Sequence, residues 1–126
     1  IAIFALPGAY TPTCSAKHLP GFVNHADALK AKGVDAIACM AVNDVFVMGA
    51  WSKDQQAGDS ILMLADGNGD FAKAIGLELD GSKFGMGPRS KRYSMLVKDG
   101  VVQKVNVDEG GYHLSSAEYL LGQLKG

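Results

Sequence analysis

The order of apolar runs and breakers predicts an α/β fold, one mixed sheet with helices on both faces. Three observations carry that prediction. Short apolar runs alternate with segments of helical period in the order βα-βα-βα-ββα. The last two strands flank Asp99-Gly100, a two-residue hairpin signal that makes them antiparallel. The 126 residues, 48% apolar and 20% charged, suit a single domain with one core. Glycine reaches 16 residues, about twice the ordinary share of roughly 7%, which points to many tight turns. Lys plus Arg at 12 nearly cancels Asp plus Glu at 13. No strong field therefore attracts nucleic acid or an anionic membrane, and the expected partner is small or neutral.

Taken in order, residues 1–6 read as a buried strand, and 7–13 as a Pro- and Thr-rich loop opening a helix near Cys14. Pro20-Gly21 is expected to kink or break that helix. Phe22, Ala26 and Leu29 continue at helical spacing to a stop at Lys32-Gly33, and residues 34–42 form a second apolar strand. Asn43-Asp44 reads as a cap for a helix carrying Val45, Met48 and Trp51 that ends by Gly58. Residues 61–65 are a third strand closed by Asp66-Gly67-Asn68-Gly69, and 71–75 a short helix. Residues 77–88, with Gly81, Gly85 and Gly87, show no clear period and read as a loop or broken helix. Residues 93–97 and 101–107 form the hairpin. A closing helix runs from Ser115 or Ser116 to Leu124, with Ala117, Leu120, Leu121 and Leu124 on one side. A thioredoxin-like arrangement satisfies this order.

The chain opens on Ile1 rather than Met, directly in an apolar strand too short for a signal peptide and lacking its basic region. The expectation is that further sequence precedes it. No apolar stretch approaches the 18 or so residues that cross a bilayer, so the expected setting is cytoplasmic, with import into an organelle left open by the missing start. Cys14 and Cys39 are too few for a disulfide scaffold and form no C-x-x-C pair. The three His and two Cys are dispersed, so neither a metal nor another cofactor is expected.

The chemistry concentrates in Pro7-Gly8-Ala9-Tyr10-Thr11-Pro12-Thr13-Cys14, which sets a thiol after a strand and at the first turn of a helix. Orphan backbone N–H groups and the helix dipole stabilise a thiolate there, typically by about 0.3–1 kcal/mol and up to about 2. Thr11 can direct a hydroxyl toward the sulfur, and Pro7 and Pro12 stiffen the loop before a substrate arrives. A buried structural thiol is the bland alternative, but such cysteines rarely sit at a Pro-braced helix start. His18, one turn further on, would need an acid partner to act as a base, and none is evident. Trp51 and the methionines read as packing, and His25 and His113 as surface residues.

The spacing P-x-x-x-T-x-x-C, here Pro7, Thr11 and Cys14, resembles the peroxidatic motif of peroxiredoxins. The longer string through Ser15 and His18-Leu19-Pro20-Gly21-Phe22 is similar to the peroxiredoxin-5 (type II) subfamily. So are residues 41–48, 64–69 and Arg92-Tyr93-Ser94-Met95, and the likeness spans nearly the whole chain. Family members begin earlier, so the resemblance implies one thioredoxin-like domain over residues 1–126 that lacks its N-terminal strands. It also implies reduction of hydrogen peroxide or alkyl hydroperoxides by thiolate attack on the O–O bond, an oxidoreductase that uses peroxide as acceptor. Carried over, Cys14 is the nucleophile, Thr11 its hydroxyl partner, Pro7 the shield of the pocket and Arg92 the activating guanidinium. The backbone near Thr13 and Cys14 and a second guanidinium, Arg89, are candidates for binding peroxide.

Lowering a thiol pKa from about 8.5 to about 6 takes roughly 3.4 kcal/mol, more than a helix terminus supplies, so a cation such as Arg92 is needed. The thiolate fraction at pH 7 then rises roughly 30-fold while intrinsic nucleophilicity falls roughly 13-fold, a net gain of about twofold. Positioning of the transition state must therefore supply most of the rate. The sulfenic acid left on Cys14 has to be reduced. Cys39 sits among Ile37, Ala38, Met40 and Ala41 and reads first as a core thiol; as a resolving cysteine it would require local unfolding. Some members of the subfamily that the chain resembles keep a resolving cysteine near the C-terminus, but residues 113–117 here contain no thiol, so the resemblance implies an external reductant, glutaredoxin with glutathione or thioredoxin. A disulfide reductase is disfavoured because Lys17 fills the second cysteine slot. The non-enzymatic rival is a peroxide sensor or redox-dependent binding module that oxidises without turnover. The resemblance further implies a homodimer joined near the active sites, with residues 84–88 as a candidate contact.

Overall fold

The structure, a computed structural model, describes residues 1–126 except 10, 12–13, 58–60, 109–111 and 125–126, and except the side chains of 14, 16 and 84. In chain order, β1 (Ala2–Ala5) leads through a loop to a π-helical turn (Cys14–His18), α1 (Leu19–Asn24) and α2 (Ala26–Ala31). Then follow β2 (Ile37–Ala41), α3 (Val45–Asp54), β3 (Leu62–Ala65) and α4 (Asp70–Ala74). A small insertion holds β4 (Glu78–Asp80), a 3₁₀ turn (Ser82–Phe84) and β5 (Pro88–Ser90), before β6 (Arg92–Lys98), β7 (Val101–Asp108) and α5 (Ala117–Gln123) close the chain.

The main sheet has the order β3-β2-β1-β6-β7. β1 pairs parallel with β2 and antiparallel with β6, so the sheet is mixed, and β1 is central because its alternate residues are all apolar. Ala2, Phe4 and Leu6 enter the larger core with Leu19 and Phe22 of α1, Leu29 of α2, Met48 and Trp51 of α3 and Leu120 of α5. Ile3 and Ala5 serve the other face with Tyr93, Met95, Met40, Val107 and Leu77, the last just beyond α4. Each large side chain so buried contributes about 1.5–3 kcal/mol. The two edge strands are lightly covered: Leu62 on β3 and Val101, Val102 and Val105 on β7 are exposed.

Asp44 caps α3 by accepting from Val47 N at 2.8 Å, and Ser116 caps α5 by accepting from Tyr119 N at 3.1 Å. Asp99 and Gly100 both take positive φ in the β6–β7 turn, as that hairpin requires. Two expectations need correction. Residues 77–88 are not merely a loop, since β4 and β5 form a two-stranded antiparallel sheet there. Nor does Pro20-Gly21 break the helix. The chain stays helical through Pro20, passing from the π-helical turn into α1 just before it, and the interruption comes at His25.

Candidate active site

β1 delivers the chain to the site at its C-terminal end, where Leu6 is buried and Leu6 N still bonds Met40 O at 3.3 Å. The half-buried Pro7 follows and ends the strand. The loop beyond it is braced by short bonds. Ala9 N donates to Asn43 Oδ1 at 2.9 Å, tying the loop to the end of β2. Thr11 Oγ1 donates to Gly8 O at 2.7 Å, and Ser15 N donates to Thr11 O at 2.9 Å. With its proton committed to Gly8, the Thr11 hydroxyl presents lone pairs, so it acts as an acceptor toward anything seated beside it. The next element starts at Cys14 and is π-helical, a rare geometry that recurs at functional sites. Ser15 Oγ accepts from the buried Trp51 indole at 3.1 Å, which ties α3 to this turn one residue after Cys14.

Arg92, the first residue of β6, reaches the same turn from across the sheet. Its NH1 lies 2.9 Å from Nδ1 of His18, the last residue of the π-helical turn. A guanidinium can only donate, so Nδ1 must be the acceptor and the ring proton must sit on Nε2. Nε2 lies 3.0 Å from Ser115 O, the acceptor that this tautomer needs. His18 is fully buried, with its ring centroid 4.9 Å from Phe4, 5.7 Å from Phe22 and 5.3 Å from Tyr112. Burial and the adjacent Arg92 charge push its pKa down to about 3, against the opposing pull of the Ser115 bond and of Asp108. A neutral imidazole thus receives Arg92, on the helical turn that Cys14 begins.

The other candidates fall into separate roles. Arg89 spends its guanidinium on backbone: Nε bonds Met86 O at 3.1 Å and NH1 bonds Val42 O at 3.1 Å. It packs under Gly8, where a Cβ would lie 3.1 Å from NH1, so it braces the floor of the loop. Cys39 is buried in β2, in register with Phe4 and Met63, within the larger core. Thr13 and the Cys14 side chain lie outside the described residues, as does the Phe84 side chain. Among the described residues no group of three His, Cys, Asp or Glu side chains gathers to hold a metal ion. A cavity of about 640 Å³ opens at the opposite end of β1, lined by Ile1, Val34 and Leu96 among others, remote from the Cys14 turn.

Sequence reasoning weighed His18 only as a base, read Asn43 and Ser115 only as helix starts, and passed over Asp108. The bond from His18 to Ser115 spans 97 residues, and no local pattern announces such a pair. The one available signal was that His18 lies a single turn from Cys14 on the same helical segment.

The chain matches the family model described as Redoxin over residues 1–121. It is 53% identical to "Peroxiredoxin-2E, chloroplastic" of Arabidopsis thaliana over 125 residues, covering 97% of this chain and 53% of that protein. It thus spans about half the length of that relative. With "Peroxiredoxin-2C" of Oryza sativa subsp. japonica it shares 49% identity, covering 98% of this chain and 77% of the relative. Among solved structures, reduced Prx3 of Vibrio vulnificus in complex with H₂O₂ superposes with a TM-score of 0.95 at 53% identity, covering 98% of this chain and 79% of that one. The thioredoxin-like sheet, the P-x-x-x-T-x-x-C loop and these likenesses agree: the chain belongs to the redoxin family, among its type II peroxiredoxins.

Proposed function

We propose that this chain is a thiol-dependent peroxidase, a single thioredoxin-like domain that reduces hydrogen peroxide and alkyl hydroperoxides through Cys14. The observation that carries the reading is the convergence on one helical turn. Cys14 starts it, Thr11 braces it, and Arg92 docks on it through His18. The Cys14 thiolate attacks the terminal peroxide oxygen. As the S–O bond forms and the O–O bond breaks, the electron pair leaves on the distal oxygen, which takes a proton to become water or an alcohol. The sulfur is oxidised to sulfenic acid and the peroxide reduced. Thr11 Oγ1, an acceptor because its proton serves Gly8, takes a hydrogen bond from the peroxide O–H. The Arg92 guanidinium stabilises the thiolate and the charge growing on the leaving oxygen, and Pro7 shields the pocket.

The sulfenic acid is returned to thiol by an external dithiol or glutathione system, glutaredoxin or thioredoxin. Burial of Cys39 in mid-sheet favours that choice, since joining two sulfurs requires Cα atoms within about 7 Å and would draw Cys39 out of its core. Val45 and Phe46, 62% and 83% exposed at the start of α3 beside the Asn43 brace, support a homodimer that covers this end of the site. Sedimentation equilibrium of Phe46→Asp beside wild type reads that contact. The proposed setting is cytoplasmic, with an organelle as the alternative that the chloroplastic relative raises, and fractionation of the source cell decides between them. Among the described residues no helix is long and apolar enough to cross a membrane.

The reading is tested by peroxide turnover with glutaredoxin/glutathione and thioredoxin systems side by side. Wild type and Cys39→Ser should turn over repeatedly, and Cys14→Ser should not. Consumption of one peroxide per chain and no more would assign the protein to sensing instead. Turnover in Cys14→Ser would remove Cys14 from the chemistry.

A further inference from the structure

Asp108 ends β7 directly opposite Arg92 in the β6–β7 register, yet its carboxylate bonds run to the segment that follows. The side chain is only 8% exposed, and a carboxylate withdrawn from water persists only where donors saturate it. Oδ2 accepts from His113 N at 3.0 Å, Ser115 N at 2.8 Å and Ser115 Oγ at 2.6 Å, and Oδ1 accepts from Leu114 N at 3.0 Å. Four hydrogen bonds therefore converge from three consecutive residues, enough to fix the orientation of that turn. Its last member, Ser115, is fully buried, and its carbonyl is the acceptor for His18 Nε2–H.

We propose that Asp108 is a positioning residue for Arg92, acting through the turn at residues 113–115 and the neutral imidazole of His18. The inference rests on the reading that Arg92 activates peroxide at Cys14. The logic is a chain of forced donor and acceptor roles. Asp108 orients the Ser115 carbonyl, the carbonyl holds the proton on Nε2, and that leaves Nδ1 free to receive the guanidinium. If the turn loosens, Nε2–H loses its partner. The proton can then move to Nδ1, where it opposes an N–H of Arg92, and the guanidinium loses its bond to His18. Such an outer layer of hydrogen bonds settles both tautomer and orientation, as it does for histidines that bind metals.

The test uses the full chain labelled with ¹⁵N-histidine, as wild type, Asp108→Asn and the milder Ser115→Ala, which removes one of the four bonds. Two quantities are read: the tautomer of His18 by NMR, and the second-order rate of oxidation by hydrogen peroxide. Wild type should show a single Nε2–H tautomer. Asp108→Asn should show a mixed or exchanging His18 and a rate lower by about tenfold or more, as displacement of an activating group implies. Ser115→Ala should move both readings the same way by less, and it carries the test alone if Asp108→Asn does not fold. A His18 that keeps its single tautomer in every folded variant overturns the proposal whatever the rate does, because a merely structural Asp108 would lower stability without disturbing the ring. An altered tautomer with a wild-type rate overturns it equally. Should wild type leave peroxide unreduced, it is the reading of Cys14 that fails, and the tautomer comparison still judges what Asp108 does to His18.

Discussion

Thr11 shows how a single residue can hold its role through one proton. Its hydroxyl donates to Gly8 O at 2.7 Å, so under the proposed function it can only accept from a bound peroxide, which would align the O–O bond for attack. Thr11→Val removes that acceptor and should lower the second-order peroxide rate by about 10²-fold, the usual loss for one oriented polar contact at a reacting centre. Thr11→Ser keeps the oxygen and should stay within about threefold. Stopped-flow oxidation monitored through Trp51, whose indole bonds Ser15 beside Cys14, measures both. At this scale the sequence was informative wherever role followed from local spacing. Pro7, Thr11 and Cys14 stand within eight residues, and their pattern is legible. His18 and Arg92 are 74 residues apart, and only the pairing of β1 with β6 brings them together. The reading of His18 as a bystander for want of an acid partner missed that its partner is a base-stable cation.

Among the elements, the insertion of β4 and β5 contributes more than its size suggests. It carries Arg89, which ties the Val42 carbonyl at the end of β2 to the underside of the Cys14 loop. Gly81 is the tight point: a Cβ there would meet Gly87 O at 2.9 Å and Met86 Cβ at 3.1 Å, while Arg89 Cγ lies 3.5 Å away. Gly81→Ala should therefore destabilise the fold by about 1–3 kcal/mol, read as a lower urea midpoint with unchanged slope. An unaltered midpoint would show that the backbone yields freely. This insertion was invisible to periodicity because three-residue strands between glycines present no repeat. The longer elements were legible for the opposite reason: β1, β6 and β7 alternate or run apolar over whole strands, and Asp44 and Ser116 mark helix starts by their side-chain chemistry. Pro20 misled because the helical segment passes from the π-helical turn to α1 just before it and so continues through the proline.

For the whole molecule, the buried polar network links the site to acid stability. His18 titrates at about 3 when folded, below its ordinary 6.5, so the unfolded chain binds more protons between those values. This residue's contribution is complete above pH 6.5 and declines by up to about 1.4 kcal/mol per pH unit as pH falls toward 3. Burial pushes the Asp108 carboxyl up, but the bonds from Ser115, His113 and Leu114 outweigh it and hold it at about 2. That contribution persists above pH 3.8 and is lost as pH falls through 2. Urea unfolding at pH 7, 5.5 and 4 should show the first slope in wild type and its absence in His18→Gln; equal slopes would mean that His18 charges without penalty. The sheet, its two cores and this network have one functional consequence, a guanidinium held on the helical turn that Cys14 begins. The most direct test is the second-order rate of oxidation of the reduced protein by hydrogen peroxide at pH 7, wild type against Arg92→Lys. Lysine keeps the charge but loses the planar fork that meets His18 Nδ1 and that the proposed function turns toward the peroxide. A fall of about tenfold or more in Arg92→Lys is the predicted result, and equal rates would contradict the account.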